Sequence, residues 1–344
     1  MKAILITAVL SITATASAQT SLKLPATSPA ASVTQTIGIT EVTVNYHRPA
    51  VNGRPIWGQL VPYGETWRAG ANENTTVAFS TDVKVGGKPL KAGTYGLHTL
   101  PTDKDWTVML STTATAWGSF TYDPKDDALR ITVTPRPLAT SEERLSYRFD
   151  APSNTKATLV LAWEKLALPI EIEVDTPKIV MDGVRSQLSS GGLPWQPYSQ
   201  AANYWLKNGG PLDEAMKFAD HSIATAPAYQ NLRVRAAIFE KQGNAKAAAA
   251  DRAKAEKLAT ETDLNQTAYG LMNDHKPDAA IALFRTITVR YPESANAQGS
   301  LGEALAAKGD KAGAQAAYTK ALALAKDPVA KKQIEQALAK LKSS

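Results

Sequence analysis

Residues 280–292 read AIALFRTITVRYP and residues 314–328 read AQAAYTKALALAKDP. In each, an alanine is followed four positions on by an aromatic residue, Ala280 by Phe284 and Ala314 by Tyr318, and a proline closes the segment at Pro292 or Pro328. The alanines stand 34 residues apart, and so do the aromatics. A spacing of four puts each pair on one helix face, with the small residue leaving room for a second helix. Upstream, Ala248 and Ala255 hold matching places in an earlier unit, and Ala215 and Pro227 in a first, at steps of 32 to 34 residues. Between these segments lie others with helical spacing: Ala202 and Leu206, Arg235 and Phe239, Thr267 and Leu271, Leu301 and Leu305. Turn residues separate them at Asn208-Gly209-Gly210, Gly243-Asn244, His275-Lys276-Pro277 and Gly309-Asp310. The C-terminal half therefore reads as four helical hairpins. None can bury its apolar face alone, so they must stack. Asp327-Pro328 opens a last helix, residues 328–344, with Ile334, Leu338 and Leu341 on one stripe and charges elsewhere, as a cap on such a stack requires. A generic Ala-rich bundle is the alternative, and the shared period argues against it.

The chain is 344 residues long and contains no cysteine, which excludes disulfides and thiolate metal sites. That length fits two domains. Met1 and Lys2 precede an apolar run, Ala3 to Ile12, and Ala16-Ser17-Ala18 stands before Gln19. This pattern reads as a secretory signal peptide over residues 1–18, with a buried N-terminal helix as the alternative. The apolar run is too short to span a bilayer. The expected mature chain is exported, periplasmic or extracellular, and without a membrane span. Charge is uneven: residues 19–177 hold 15 Lys+Arg and 16 Asp+Glu, residues 178–344 hold 22 and 16. The basic excess is spread over helices without an Arg-rich run, so nucleic acid is a poor partner; a solvated helical face explains the excess, and attraction to an acidic partner is the sharper alternative.

Residues 29–176 have strand character. Val42, Val44 and Tyr46 alternate with polar neighbours, as do Val77 and Phe79; Leu129, Ile131 and Val133; Leu145, Tyr147 and Phe149; Leu159, Leu161 and Trp163; and Ile170, Ile172 and Val174. Period-two alternation puts one face on a core. The segment from Val83 to Lys88 reads as a hairpin turning at Gly86-Gly87. Many short strands without intervening helices predict an antiparallel β-sandwich-like domain and exclude a nucleotide-binding α/β fold. A helix and linker over 177–197 then lead to the repeats, 198–327.

Within the β half, residues 46–75, YHRPAVNGRPIWGQLVPYGETWRAGANENT, carry Arg48, Arg54 and Arg68 beside Trp57, Tyr63 and Trp67. Long loops on a β scaffold often carry function, and arginine with aromatic residues can hold carboxylates or sugars. Arg48, Trp67, Arg68, Asn72 and Glu73 are the first candidates for such a ligand loop; the competing reading is that Trp–Arg stacking pins the loop to the sandwich. His47 and His98 show no metal-ligand spacing, and no nucleophile elbow, P-loop or dinucleotide fingerprint occurs. No catalytic residue, metal or cofactor is assigned.

The phrases TIGITEVTVNYHRPAVNGRPIWGQLVPYGETWRAGANENTT, VGGKPLKAGTYGLHTLP, AWGSF and LVLAWEKLALPIEIEVDT resemble the bacterial domain-of-unknown-function family numbered 2911. That resemblance implies an exported domain and no activity. The C-terminal half resembles the tetratricopeptide class. Repeats of this class turn certain first-helix positions into a groove, which here are Gln200, Tyr204 and Lys207; Gln230, Arg233 and Glu240; Asn265, Tyr269 and Met272; Asn296 and Glu303. Tyrosines with mixed polar groups suit peptide recognition. Members that clamp a terminal carboxylate use paired lysines and asparagines, a set this chain lacks, with Tyr204 and Tyr269 in place of asparagine. The expected role is a non-catalytic adaptor whose repeats bind a protein or peptide. An envelope enzyme or carbohydrate-binding module at the β-domain loop, and a purely structural array, are the alternatives.

Overall fold

Strands β1 (Ala30–Ile37), β2 (Thr40–His47) and β3 (Thr76–Phe79) are the first elements in the computed structural model, which describes residues 24–343. The leader expected at 1–18 lies outside the described residues. The chain divides after Ile179 into two units. In the first, β4 (Val83–Val85), β5 (Lys88–Leu90), β6 (Gly93–Leu100), β7 (Trp106–Ser111), β8 (Asp127–Val133), β9 (Arg136–Asp150) and β10 (Lys156–Glu173) complete two sheets. One has six strands in the order β1-β2-β3-β6-β7-β8; the other has four, β5-β4-β10-β9. All named pairings are antiparallel.

The alternating residues build the core. Val42, Val44, Val77 and Val108 of the six-stranded sheet share one apolar cluster with Leu145, Leu159, Leu161 and Ile170 of the other. Each fully buried aliphatic side chain contributes roughly 1.5–3 kcal/mol, and this burial stands in for the missing cross-links. At the β4–β5 turn both Gly86 and Gly87 have positive φ, 54° and 76°. A Cβ on Gly86 would come within 2.8 Å of Ile131, so the turn needs glycine for space as well as for backbone freedom. The two alternating stretches Leu159–Trp163 and Ile170–Val174 belong largely to one long strand, β10, which ends at Glu173. Register shifts against β9 between Ala162 and Leu166, with Glu164 at φ 53°, keep the strand continuous while bending it.

Helix α1 (Thr176–Leu188) contains the division between the units. The second unit then holds α2 (Trp195–Asn208), α3 (Leu212–Thr225), α4 (Tyr229–Lys241), α5 (Ala245–Leu258), α6 (Glu261–Asn273), α7 (Pro277–Arg290), α8 (Ala295–Lys308), α9 (Lys311–Leu324) and α10 (Pro328–Ser343). The even-numbered helices start at 195, 229, 261, 295 and 328, steps of 34, 32, 34 and 33 residues. These are tetratricopeptide-like hairpins. Helix α2 starts at Trp195, earlier than its proline pair suggests, because Pro197 falls in the first turn, where no intrahelical N–H is required.

Every turn inside a hairpin passes through the left-handed region, at Gly209, Gly243, His275 and Gly309. The buried slots hold Ala215, Ala248, Ala280 and Ala314, with Phe284 and Tyr318 over the last two hairpins. A Cβ on Gly302 would meet the Tyr318 ring at 2.8 Å, so α8 and α9 approach as closely as they do because this position is bare. Polar ties cross between helices. Arg235 on α4 donates in bidentate fashion to Asp251 on α5, at 2.7 and 2.9 Å, and to Asp220 on α3 at 2.8 Å. Buried Asn231 donates to Ser222 Oγ and to the Ala226 carbonyl, and accepts from the Ala228 N–H. Ile334, Ala337, Leu338 and Leu341 lay α10 against the end of the stack.

Candidate functional site

Helices α6, α8, α9 and α10 enclose a groove of about 700 Å³. Tyr269 enters it from α6, Asn296, Ser300 and Glu303 from α8, Lys311 and Tyr318 from α9, and Gln333, Ile334 and Leu341 from α10. The Tyr269 ring is fixed edge-on against fully buried Phe284, with centroids 5.2 Å apart. Its hydroxyl donates a hydrogen bond to the Glu303 carboxylate at 2.7 Å and lies 3.2 Å from Ser300 Oγ. Burial, with Glu303 adding to it, pushes the phenol up to about 12, so it stays a donor at neutral pH. Asn296 donates to Glu261 at 3.0 Å. The groove thus offers an apolar floor with a carboxylate, an amide, hydroxyls and a lysine around it, the mixture that fixes a ligand's orientation.

Tyr269, Asn296 and Glu303 are the sequence-expected groove residues that this site brings together. The others lie elsewhere. Met272 packs on the helical core, and Asn265 is half-buried with its carbonyl oxygen unpartnered. On α2, Gln200 and Lys207 are exposed while Tyr204 packs edge-on to Trp205. Arg233 donates to the Tyr229 hydroxyl at 2.7 Å and covers that ring. Gln230 donates to Asp263, and Glu240 pairs with Arg252 on α5. Sequence reasoning missed the contributions of α9 and α10. The stripe of Ile334 and Leu341 was visible, but it read only as a cap.

The five ligand-loop residues of the β unit do not converge. Arg48 donates to the Leu145 carbonyl at 2.9 Å. Trp67 stacks on Trp163 at 5.8 Å and 19°, within a group completed by Trp57 and Trp106. Asn72 sits at φ 59° and donates to the Ser28 carbonyl at 3.4 Å. Glu73 pairs with His47 at 3.4 Å, where both line a shallow groove of about 450 Å³ with Asn45, Tyr46 and Asn74. Arg68 points elsewhere again, toward Gly118. Four of the five therefore anchor the loop, and a single pocket made of all five is excluded. Among the described residues, no group of three or more His, Asp or Glu could hold a metal ion.

Residues 28–172 match the family described as Protein of unknown function (DUF2911). No curated protein matches the chain. Two of the solved structures similar to it are described as tetratricopeptide repeat proteins. YrrB, described as a TPR protein with an unusual peptide-binding site, is 17% identical over 46% of this chain and 84% of its own, with a TM-score of 0.27. MamA is 14% identical over 43% of this chain and 88% of its own, with a TM-score of 0.25. A tetratricopeptide repeat protein from Parabacteroides merdae ATCC 43184 is 17% identical over 43% and 60%, with a TM-score of 0.28.

Proposed function

We propose that the protein is an exported, non-catalytic adaptor whose helical unit binds an extended segment of a protein partner in the groove between α6, α8 and α10. The observation that supports this reading most is the convergence of Tyr269, Asn296 and Glu303 over an apolar floor of Tyr318, Ile334 and Leu341. A stack of hairpins offers a concave face of this kind. The net charge of +6 over residues 178–344 favours an acidic partner through long-range attraction. The export reading rests on the charged start, apolar run and Ala16-Ser17-Ala18.

Selection of a displayed peptide library on the chain from Gln19 onward tests the binding half. Selected peptides should bind with affinities that fall tenfold or more in Glu303→Ala and in Gln333→Ala, both exposed positions. Lys207→Ala, outside the groove, should leave them unchanged. Unaltered affinity in both groove variants sinks the proposal. Export is tested by N-terminal mapping of the protein from envelope and medium fractions. A start at Gln19 supports it, and an intact cytoplasmic chain contradicts it.

A further inference from the structure

Two loops of the β unit lie side by side. The Asn74 N–H donates to the Ala116 carbonyl at 3.0 Å and the Gly118 N–H to the Asn72 carbonyl at 3.2 Å, with Glu73 paired opposite Trp117. This short ladder places Arg68 beside the loop that carries Trp117 and Phe120. Gly118, at φ 69°, is the bare spot between them: a Cβ there would lie 3.1 Å from the Phe120 ring and 3.5 Å from Arg68 Nη1.

The chemistry at this spot is unbalanced. The Arg68 guanidinium makes no hydrogen bond or ion pair among the described residues, and its Nε is closed off from solvent without an acceptor. Arg48, half-buried like Arg68, does donate to a carbonyl. Burial without compensation holds the Arg68 guanidinium below its ordinary value. A half-desolvated cation of this kind lacks an anion, and the planar fork of its donors matches a carboxylate. Trp117 and Phe120 meanwhile expose 60% and 86% of their surface, three residues apart on one loop. Single exposed apolar residues need no explanation, but two large exposed rings on the loop that approaches an unpaired guanidinium are available to a ligand.

We propose that Arg68, Trp117 and Phe120 form a binding site for a carboxylated sugar ring, a uronate. The carboxylate takes the free guanidinium donors, and the C–H face of the pyranose lies on the aromatic rings. A peptide fits less well. Strand-addition recognition relies on unpaired main-chain groups, and those of Asn72, Asn74, Ala116 and Gly118 already bond one another. The site is independent of the helical groove.

Calorimetric titration of the chain from Gln19 onward with trigalacturonate and with a hyaluronan tetrasaccharide tests the proposal. At least one should bind, and its methyl-esterified form should not. Arg68→Gln and Trp117→Ala should each weaken binding tenfold or more, with melting curves recorded in parallel. Phe120→Ala, at a highly exposed position, should weaken it severalfold and decides the matter if either other variant fails to fold. The proposal is overturned if neither uronate binds at millimolar concentration, if the ester binds equally, or if Phe120→Ala and Arg68→Gln leave affinity unchanged. Preference for a short acidic peptide over both sugars also overturns it.

Discussion

The Tyr269 hydroxyl and the Glu303 carboxylate meet at 2.7 Å, joining residues 34 positions apart, one repeat length, across α6 and α8. The ring does most of the anchoring and the hydroxyl a smaller part. Tyr269→Phe keeps the contact with Phe284 and releases an exposed carboxylate to water, which should cost about 1 kcal/mol. Tyr269→Ala removes the ring and should cost about 3 kcal/mol. Urea unfolding measures both. Equal losses would mean that the hydrogen bond, and not the packing, holds α6 to α8.

Asp251 should be far less tolerant. Its side chain is 4% exposed and accepts both arms of Arg235. Asp251→Ala leaves that guanidinium half-buried, with only Asp220 as a charged partner. Breaking such a pair from one side costs about 3–5 kcal/mol. The readout is the urea midpoint of the helical unit, and a loss below about 1 kcal/mol, as at a surface pair, would contradict the reading.

His275 is the exception among the hairpin turns. It takes φ 58° where Gly209, Gly243 and Gly309 serve in the other three. An L side chain in that region costs about 1–2 kcal/mol, partly offset by the extra freedom glycine has when unfolded. His275→Gly should therefore stabilise the helical unit by about 0.5–1 kcal/mol and raise its melting temperature. A lowered melting temperature would show that the imidazole makes a compensating interaction.

His98 gives the β unit a pH dependence. The residue is 2% exposed, and burial lowers its pKa to about 4 from the ordinary 6.5. Between those values the unfolded chain takes up the proton and the folded one does not. Stability is therefore full above pH 6.5 and declines as pH falls toward 4, by about 2–3 kcal/mol at the lower end. In His98→Phe the unfolding midpoint should fall less steeply over this window. An unchanged slope would assign the dependence to other groups.

The helical half was legible because its signals repeat. Ala280 with Phe284 and Ala314 with Tyr318 each sit on a face that a neighbour must cover, so period and burial agree. Strands with one wet face were legible for the same reason: β2 alternates buried Thr40, Val42, Val44 and Tyr46 with more accessible residues. Strand β7 was not. Trp106, Val108, Met109, Leu110 and Ser111 are all buried, so both faces are covered and no alternation remains to read. The sites divide in a similar way. Tyr269, Asn296 and Glu303 were named through the likeness to tetratricopeptide repeats, whereas the placement of Arg68 beside the loop of Trp117 and Phe120 depends on two segments about 50 positions apart being laid together. Residues 46–75 are rich in tryptophan and arginine, but composition alone did not separate Trp67, which the core absorbs, from Arg68, which it leaves unpaired.

Among the described residues, helix α10 is held chiefly by α9. A helix held by one neighbour opens more readily than one held by two, so amide exchange should be faster in α10 than in α8, which packs on α7 and α9. One wall of the 700 Å³ groove is consequently a helix secured mainly from one side. Occupancy and docking of that helix become linked equilibria: whatever seats itself between α8 and α10 also holds α10 in place, and detachment of α10 releases it.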